Sequence, residues 1–474
     1  MASSTGTIAA LPRSTPEEQG VASAAIQKFI RQAERRSLEL HSLMLLRHGH
    51  VIADGWWAPY ASGNQQLVYS VSKSFTATAI GIAESEGRLD VTERVTSFFP
   101  DSLPRSVSPH LGAMEVRHLL MMGTGHASDT IDRMIAEYPD DLVRAFLSIP
   151  PEYEPGSIFV YNNGATHMLA AILQKVTGED LLNYLRPRLL SPLGILGAQW
   201  QSAMSGIPLG FSGLHVTTES IARFGQLLLN RGEWNGRQLL SDSWITRATA
   251  VQISNAAEPN PDWGQGYGYH LWRSEHGYRA DGAFGQFCLV LPEYDAVIVT
   301  TAATEDMQGL LDLVWEVLRP AFHNGELPPH RDSADLATSL TSLSLPPVAG
   351  SAEPVEPVQI PGVTVSGPFE LPFVPFESVS VDRHAGSWAL MISSDDRVHR
   401  LDCAVDVWSR HEIADRHGNV VPVAASGGWT GAREFTAELV YSDSPHRLRV
   451  VWRPDAEGVP IQLAWNVPPL HALS

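Results

Sequence analysis

Apolar and charged residues recur at helical spacing from Ile26 to Glu39, which predicts a helix. Leu45-Leu46 and Val51-Ile52 then flank Arg47-His48-Gly49-His50, a strand–turn–strand pattern. From Ser70 to Glu86 the chain reads as a second helix, with Phe75, Ala79, Ile82 and Ala83 as its apolar stripe and Gly87 as its stop. Helical periodicity returns at 113–122, 139–148, 163–177, 217–231 and 305–319. Leu289-Val290-Leu291 and Ala296-Val297-Ile298-Val299-Thr300 read as buried antiparallel strands across the Pro292-Glu293-Tyr294-Asp295 turn. Strands at both ends with helices between predict an α+β arrangement, a sheet built from the two ends and covered by a helical insertion.

The texture changes after about 325. Prolines at 328, 329, 346, 347, 354, 357, 361, 368, 372 and 375 predict a linker over 326–375. Beyond it, Leu448, Val450 and Trp452 alternate with Arg447, Arg449 and Arg453, and Ala437 and Leu439 with Thr436 and Glu438. That period of two predicts half-buried antiparallel sheet, with turns at His417-Gly418-Asn419 and Ser442-Asp443-Ser444-Pro445. The expected division is a catalytic domain over 1–325, a Pro-rich linker over 326–375 and a small antiparallel β-barrel or sandwich domain over 376–474.

Composition narrows the function classes. In 474 residues, 52 acidic side chains oppose 33 basic ones, a net charge of −19 that argues against a nucleic-acid partner. Two cysteines, Cys288 and Cys403, make neither a disulfide framework nor a Cys-based zinc site, and Cys288 in its apolar strand reads as a packing residue. His48 and His50 at a hairpin turn read as solvated, and no H-E-x-x-H or other compact metal set occurs, so no metal and no cofactor is expected. The N-terminus shows no basic start followed by an apolar run, and no uninterrupted apolar stretch is long enough to span a bilayer. A cytoplasmic protein without a membrane partner is the expectation. Oligomeric state is not legible.

Among the 33 basic residues only Lys28, Lys73 and Lys175 are lysines. Arginine stays protonated, whereas a lysine can give up its proton when its surroundings lower its pKa. Lys73 is the one lysine with a serine three residues before it, in Tyr69-Ser70-Val71-Ser72-Lys73-Ser74. On a helix, i and i+3 share a face, so Ser70 Oγ and Lys73 Nζ can meet, and free N–H groups at the helix start stabilise developing negative charge. A neutral lysine there can activate the serine, and S-x-x-K is a known catalytic spacing. The competing reading is a helix-capping Ser70 and a solvated Lys73. Tyr161-Asn162-Asn163 opens another helix and offers either a proton-relaying hydroxyl or a core tyrosine with an asparagine cap. Arg279-Ala280-Asp281-Gly282-Ala283-Phe284-Gly285-Gln286 enters a strand with glycines spaced for close backbone approach. Its N–H groups suit half of an oxyanion hole, or the run is a bulge or turn.

Taken together and in order, these segments resemble the serine hydrolases of the class C β-lactamase type, the family that also holds penicillin-binding proteins, D-aminopeptidases, esterases and nylon-oligomer hydrolases. Tyr69-Ser70-Val71-Ser72-Lys73-Ser74-Phe75 is similar to its nucleophile helix, and Val116-Arg117-His118-Leu119-Leu120-Met121-Met122-Gly123-Thr124-Gly125 to its hLLxHtSG segment. Tyr161-Asn162-Asn163 resembles its Y-x-N element. Gly213-Leu214-His215-Val216-Thr217-Thr218 with Ile221-Ala222-Arg223-Phe224-Gly225 resembles a further family segment, and Gly282-Ala283-Phe284-Gly285-Gln286 before Leu291-Pro292 its last active-site strand.

The resemblance spans about 15–325 and implies a β-lactamase/transpeptidase-like fold. It also implies roles: Ser70 as acylated nucleophile, Lys73 as its base, Tyr161 as proton relay, and the N–H groups of Ser70 and Ala283 as oxyanion hole. Asn163 would hydrogen-bond substrate or Lys73, and Asp281 and Gly282 would line the substrate site. One departure stands out. Where the family commonly has Lys-Thr-Gly or His-x-Gly, this chain has Ala280-Asp281-Gly282. A carboxylate there repels the carboxylate of β-lactam antibiotics and suits a neutral ester or amide, or a substrate carrying an amine; alternatively Asp281 turns away and pairs with Arg279. The expected activity is hydrolysis of a small ester or amide. An acyltransferase or transamidase using the same acyl-enzyme, or a D-amino-acid amidase or peptidase, is the alternative, and a non-enzymatic binding protein is disfavoured. The C-terminal unit is either a binding module or a lid shaping the mouth.

Overall fold

The computed structural model describes residues 10–355, 364–369, 376–384, 386–394, 397–415, 418–454 and 460–470. Helix α1, Ser23–Arg35, buries Ile26, Phe29, Ile30 and Ala33. It ends before Ser37, whose φ of 56° turns the chain into the first strand. Strands β1 (Leu40–Arg47) and β2 (His50–Trp56) form the expected hairpin. Helix α2 (Val71–Ser85) follows, then a run of short helices, then α3 (Asn163–Thr177) and α4 (Thr218–Leu229). Strands β3 (Trp272–Ser274), β4 (Gly277–Gly282), β5 (Gln286–Leu291) and β6 (Ala296–Ala302) return the chain to the sheet, and α5 (Met307–Leu313) packs behind it.

These six strands make one antiparallel sheet in the order β2-β1-β6-β5-β4-β3. The N-terminal hairpin pairs with the later one, Leu45 opposite Ile298, and Leu289 in turn pairs with Ile298. Both faces of the sheet are covered, which is why its central strands read as unbroken apolar runs. Leu43, Leu45, Phe287, Leu289 and Ile298 face α1 and the helices after β6, whereas Met44, Cys288, Val290, Val297 and Val299 face the helical insertion. Cys288 is a packing residue: a Cβ at Gly225 of α4 would lie 2.6 Å from its Sγ. Helix α2 departs from the expected single stripe, since Val71 through Ala83 are all buried. Its second face is made of Ser, Thr, Ala and Gly, small enough to lie inside the molecule. Gly81 is so close to Trp244 that a Cβ there would meet the indole at 2.4 Å.

Within the Pro-rich stretch, Asp332–Thr341 forms a helix, α6, with Leu336 buried, and Leu343, Leu345 and Val348 are buried after it. Residues 356–363 and 370–375 of that stretch, and His417 of the expected turn, lie outside the described residues. Farther on come two antiparallel sheets: β7 (Thr364–Phe369), β8 (Phe376–His384), β9 (Ser387–Ser394) and β10 (Arg397–Cys403), then β11 (Ser409–Ala414), β12 (Val420–Gly431), β13 (Glu434–Tyr441), β14 (Arg447–Trp452) and β15 (Ile461–Trp465). They share one core in which Val379, Trp388 and Leu390 meet Trp429, Phe435 and Trp452, and among the described residues they do not close into a barrel.

This β region is tied to the first by buried polar contacts. Gln66 Nε2 donates to Ser442 O at 2.6 Å, Leu67 N to Asp443 O at 2.7 Å and Tyr60 Oη to Ser444 O at 3.0 Å. Arg447 Nη2 reaches Glu39 Oε2 at 2.6 Å. Among the described residues no helix is long and apolar enough to cross a membrane.

Candidate active site

Ser70 stands at the start of α2, in a turn held by Val71 N to Val68 O at 3.1 Å and Ser72 N to Tyr69 O at 3.0 Å. Tyr69, just before it, has a φ of 46°. A bulky L-residue rarely adopts that conformation, at a cost of roughly 1–3 kcal/mol that packing must offset. The turn is braced on the far side by the segment around Gly213, where Val68 N donates to Leu214 O at 3.0 Å and Ser72 Oγ accepts from Leu214 N at 3.2 Å.

One helical turn on, Lys73 is 1% exposed. Its Nζ donates to Ser70 Oγ at 2.8 Å, to Asn163 Oδ1 at 2.7 Å and to Phe211 O at 3.0 Å. Burial pushes its pKa down to about 7, against the opposing pull of the Asp129 and Asp281 carboxylates. A solvated Lys73 is therefore excluded. The ammonium also lies 4.6 Å from the centre of the Tyr161 ring.

Tyr161 is held by the segment 116–125, through Val160 N to Met122 O at 3.0 Å and Asn162 N to Met122 S at 3.3 Å. Its ring stacks on Trp272 at 5.5 Å, and Tyr161 lines the cleft together with Ser70. Burial raises its pKa, so the phenol is protonated at neutral pH. The two asparagines divide their work. Asn162 caps α3, its Oδ1 accepting from Ala165 N at 3.3 Å and Thr130 Oγ1 at 2.8 Å, while Asn163 faces Lys73.

Asp129 carries no signal in the sequence, being a lone acid in a loop. It accepts from Asn163 Nδ2 at 2.6 Å and Asn163 N at 2.9 Å, which turns the amide oxygen toward Lys73.

The end of β4 closes the opposite wall. A Cβ at Gly282 would lie 2.3 Å from Val68 O and 3.3 Å from Ser70 N, so only glycine lets this strand approach the start of α2. Ala283 follows, and Phe284 after it has a φ of 65°. Asp281 does both things left open by its sequence position. Its Oδ2 accepts from the buried Arg279 Nε at 2.8 Å, and the residue also lines the cleft. Burial raises its pKa, with Arg279 and Lys73 pulling the other way. Arg279 is itself clamped, by Ser274 Oγ at 2.6 Å and by Trp263, whose ring centre is 4.5 Å away.

The cleft holds about 270 Å³. Ser70, Tyr161, Asn163 and Asp281 meet at its polar end, and Phe211, Trp263, Trp272, Met307 and Leu470 make its apolar walls. Neither these aromatics nor Leu470, from the far end of the chain, was singled out by sequence reasoning. Among the described residues no group of His, Cys, Asp and Glu is arranged to hold a metal.

A serine paired with a buried lysine, with a tyrosine ring beside the lysine, at the meeting of an antiparallel sheet and a helical insertion, is an arrangement suited to a serine nucleophile. The Beta-lactamase family model matches residues 23–318, and the chain belongs to that family. It is 25% identical over 323 residues to the 6-aminohexanoate-dimer hydrolase of Paenarthrobacter ureafaciens, covering 62% of this chain and 80% of that one. The structure of EstCE1, a hydrolase with promiscuous acyltransferase activity, superposes with a TM-score of 0.52 at 19% identity, over 62% of this chain and 98% of EstCE1. An octameric penicillin-binding protein homologue from Pyrococcus abyssi superposes with a TM-score of 0.50 at 15% identity, over 90% of this chain and 97% of that one. The last match extends the shared fold beyond the family segment into the C-terminal strands.

Proposed function

We propose that this hydrolase forms an acyl-enzyme on Ser70 and cleaves a small neutral or amine-bearing ester or amide. The observation that carries this reading is the 2.8 Å contact between Lys73 Nζ and Ser70 Oγ in a site where burial brings the lysine to about 7. A useful fraction of Lys73 is then neutral at physiological pH. As Ser70 Oγ attacks the substrate carbonyl, its proton passes to Lys73 Nζ and the carbonyl π electrons move onto oxygen. The oxyanion is received by the N–H groups of Ser70 and Ala283. When the tetrahedral intermediate collapses, the carbonyl re-forms, the bond to the leaving group breaks, and the Tyr161 hydroxyl gives the leaving oxygen or nitrogen its proton. Lys73 then gives the proton it took from Ser70 to the Tyr161 phenolate, so that both groups return to their starting protonation states. Water then attacks the acyl-enzyme with the same groups in reverse, releasing the acid and free Ser70.

Asp281 supports the choice of substrate charge, because it lines the cleft near Lys73 and sets a carboxylate where a substrate anion would sit. The apolar walls support a modest aliphatic or aromatic acyl group. The same walls favour an alcohol over water as acceptor, which supports acyl transfer as a second reading. We place the catalytic domain at 1–325, the Pro-rich connection at 326–375, the β domain at 376–474 and the protein in the cytoplasm.

Intact mass after exposure to p-nitrophenyl esters and a fluorophosphonate tests the reading. The wild type should gain one adduct on Ser70 and Ser70→Ala none. Adduct formation on Ser70→Ala would overturn it. Added hexanol should yield hexyl ester if acyl transfer competes with hydrolysis.

A further inference from the structure

We propose that His446, from the C-terminal β region, is a positioning residue that holds the Ser70 turn and the chain after Ala283 in their working conformations. This rests on the reading of Ser70 as nucleophile. The two candidate oxyanion donors sit beside the two strained aromatics. Tyr69, with φ 46°, precedes Ser70, and its backbone torsions set the peptide plane that carries the Ser70 N–H. Phe284, with φ 65°, follows Ala283 and sets the direction of the chain there. Neither is glycine, so each conformation persists only while its side chain is pinned.

One imidazole pins both. Tyr69 Oη donates to His446 Nε2 at 2.6 Å, so the phenol is held from the C-terminal region. The other ring nitrogen, Nδ1–H, donates to Val467 O at 3.0 Å, which leaves Nε2 as the acceptor. Burial pushes the His446 pKa down to about 4, so it stays a neutral acceptor across the working range. The rings of Tyr69, Phe284 and His446 meet edge to face, 5.5 Å between the first two and 5.9 Å from each to the imidazole. Leu67, Ala303 and Val467 complete this apolar cluster, which is separate from the main cores. Strain held in place by packing at the reacting centre is one way a fold keeps backbone donors aimed before substrate arrives.

Full-length Tyr69→Phe, His446→Leu, His446→Gln and the Tyr69→Phe/His446→Leu pair test this. The readouts are kcat and KM for p-nitrophenyl butyrate, the rate of fluorophosphonate labelling of Ser70, and Tm. Tyr69→Phe removes a single oxygen and His446→Gln puts an amide oxygen near the Nε2 position. Tyr69→Phe and His446→Leu should each lower kcat and the labelling rate by about tenfold or more with KM within about twofold, the signature of a lost transition-state contact. The pair should be no worse than His446→Leu alone, since the Tyr69–His446 hydrogen bond is already lost there, and His446→Gln should recover most of the rate. Tyr69→Phe that labels and turns over as fast as wild type overturns the proposal while leaving Ser70 as nucleophile. So does a loss that follows Tm alone, with no rescue by glutamine. Wild-type labelling at a residue other than Ser70 removes the nucleophile reading and this proposal with it.

Discussion

Asp129 Oδ2 takes a hydrogen bond from Asn163 Nδ2 at 2.6 Å, and this decides which end of the Asn163 amide faces Lys73. The carboxylate also raises the pKa of Lys73 against the larger, downward effect of burial. Asp129→Asn removes that charge and leaves the amide free to turn. The acid limb of the kcat/KM profile should move to lower pH, because a lysine without its nearby anion loses its proton earlier. The plateau should fall about tenfold through the disordered amide, the scale of one lost charge-assisted hydrogen bond. A pH–rate series on p-nitrophenyl butyrate checks both, and an unmoved acid limb would refute the link.

Lys73→Arg keeps the positive charge and gives up the titration. The wild-type rate should rise with pH through about 7, where Lys73 becomes neutral. The arginine variant should lose roughly 10²–10⁴ in kcat, the usual range for a general base, and lose that limb. Retention of more than about a tenth of the rate is incompatible with the base role.

Asp281→Asn keeps the shape of the cleft wall and removes its anion. Turnover of an ester carrying a carboxylate should rise relative to a neutral ester by about tenfold, the scale of one charge at intermediate dielectric. Wild type should turn over nitrocefin and benzylpenicillin poorly. Paired kinetics on p-nitrophenyl glutarate and p-nitrophenyl butyrate read the ratio, and an unchanged ratio would mean the substrate never feels Asp281.

Gly282→Ala forces a Cβ to 2.3 Å from Val68 O and 3.0 Å from the Gln286 Cβ. The backbone must give way, at about 1–3 kcal/mol. Because the displaced strand borders Ser70 N, activity should fall further than Tm does. Calorimetry alongside kcat measures both, and an active variant of normal Tm would show that β4 can move freely.

His118, His167, His215 and His446 are each pushed by burial to about 4. Between that value and the ordinary 6.5, the unfolded chain binds protons that the folded chain does not. Their contribution to stability therefore rises with pH across the window and is lost as pH falls from 6.5 toward 4, by up to roughly 1.4 kcal/mol per pH unit for each of His167, His215 and His446 and by less for the more solvated His118, with the buried Asp443 carboxyl working the other way. Chemical denaturation at pH 7, 6 and 5 should show a falling midpoint. A flat series would contradict the burial of neutral imidazoles.

The sequence by itself determined what depends on neighbours along the chain. Ser70 and Lys73 lie one helical turn apart, so their meeting followed from backbone geometry once a helix was read there. The apolar runs at 289–291 and 296–300 announced buried strands because a strand covered on both faces must be apolar throughout. The unusual Asp281 could be seen in the sequence, but whether it faced the cleft or Arg279 could not, and the fold lets it do both. What joins distant residues was decided by tertiary structure alone. Asp129 meets Asn163 across 34 positions and Tyr69 meets His446 across 377, and neither pair leaves a periodicity or a spacing to read. The pKa of Lys73 belongs to the same class, since its largest cause is burial, and burial is a property of every element packed around the side chain rather than of the residues beside it.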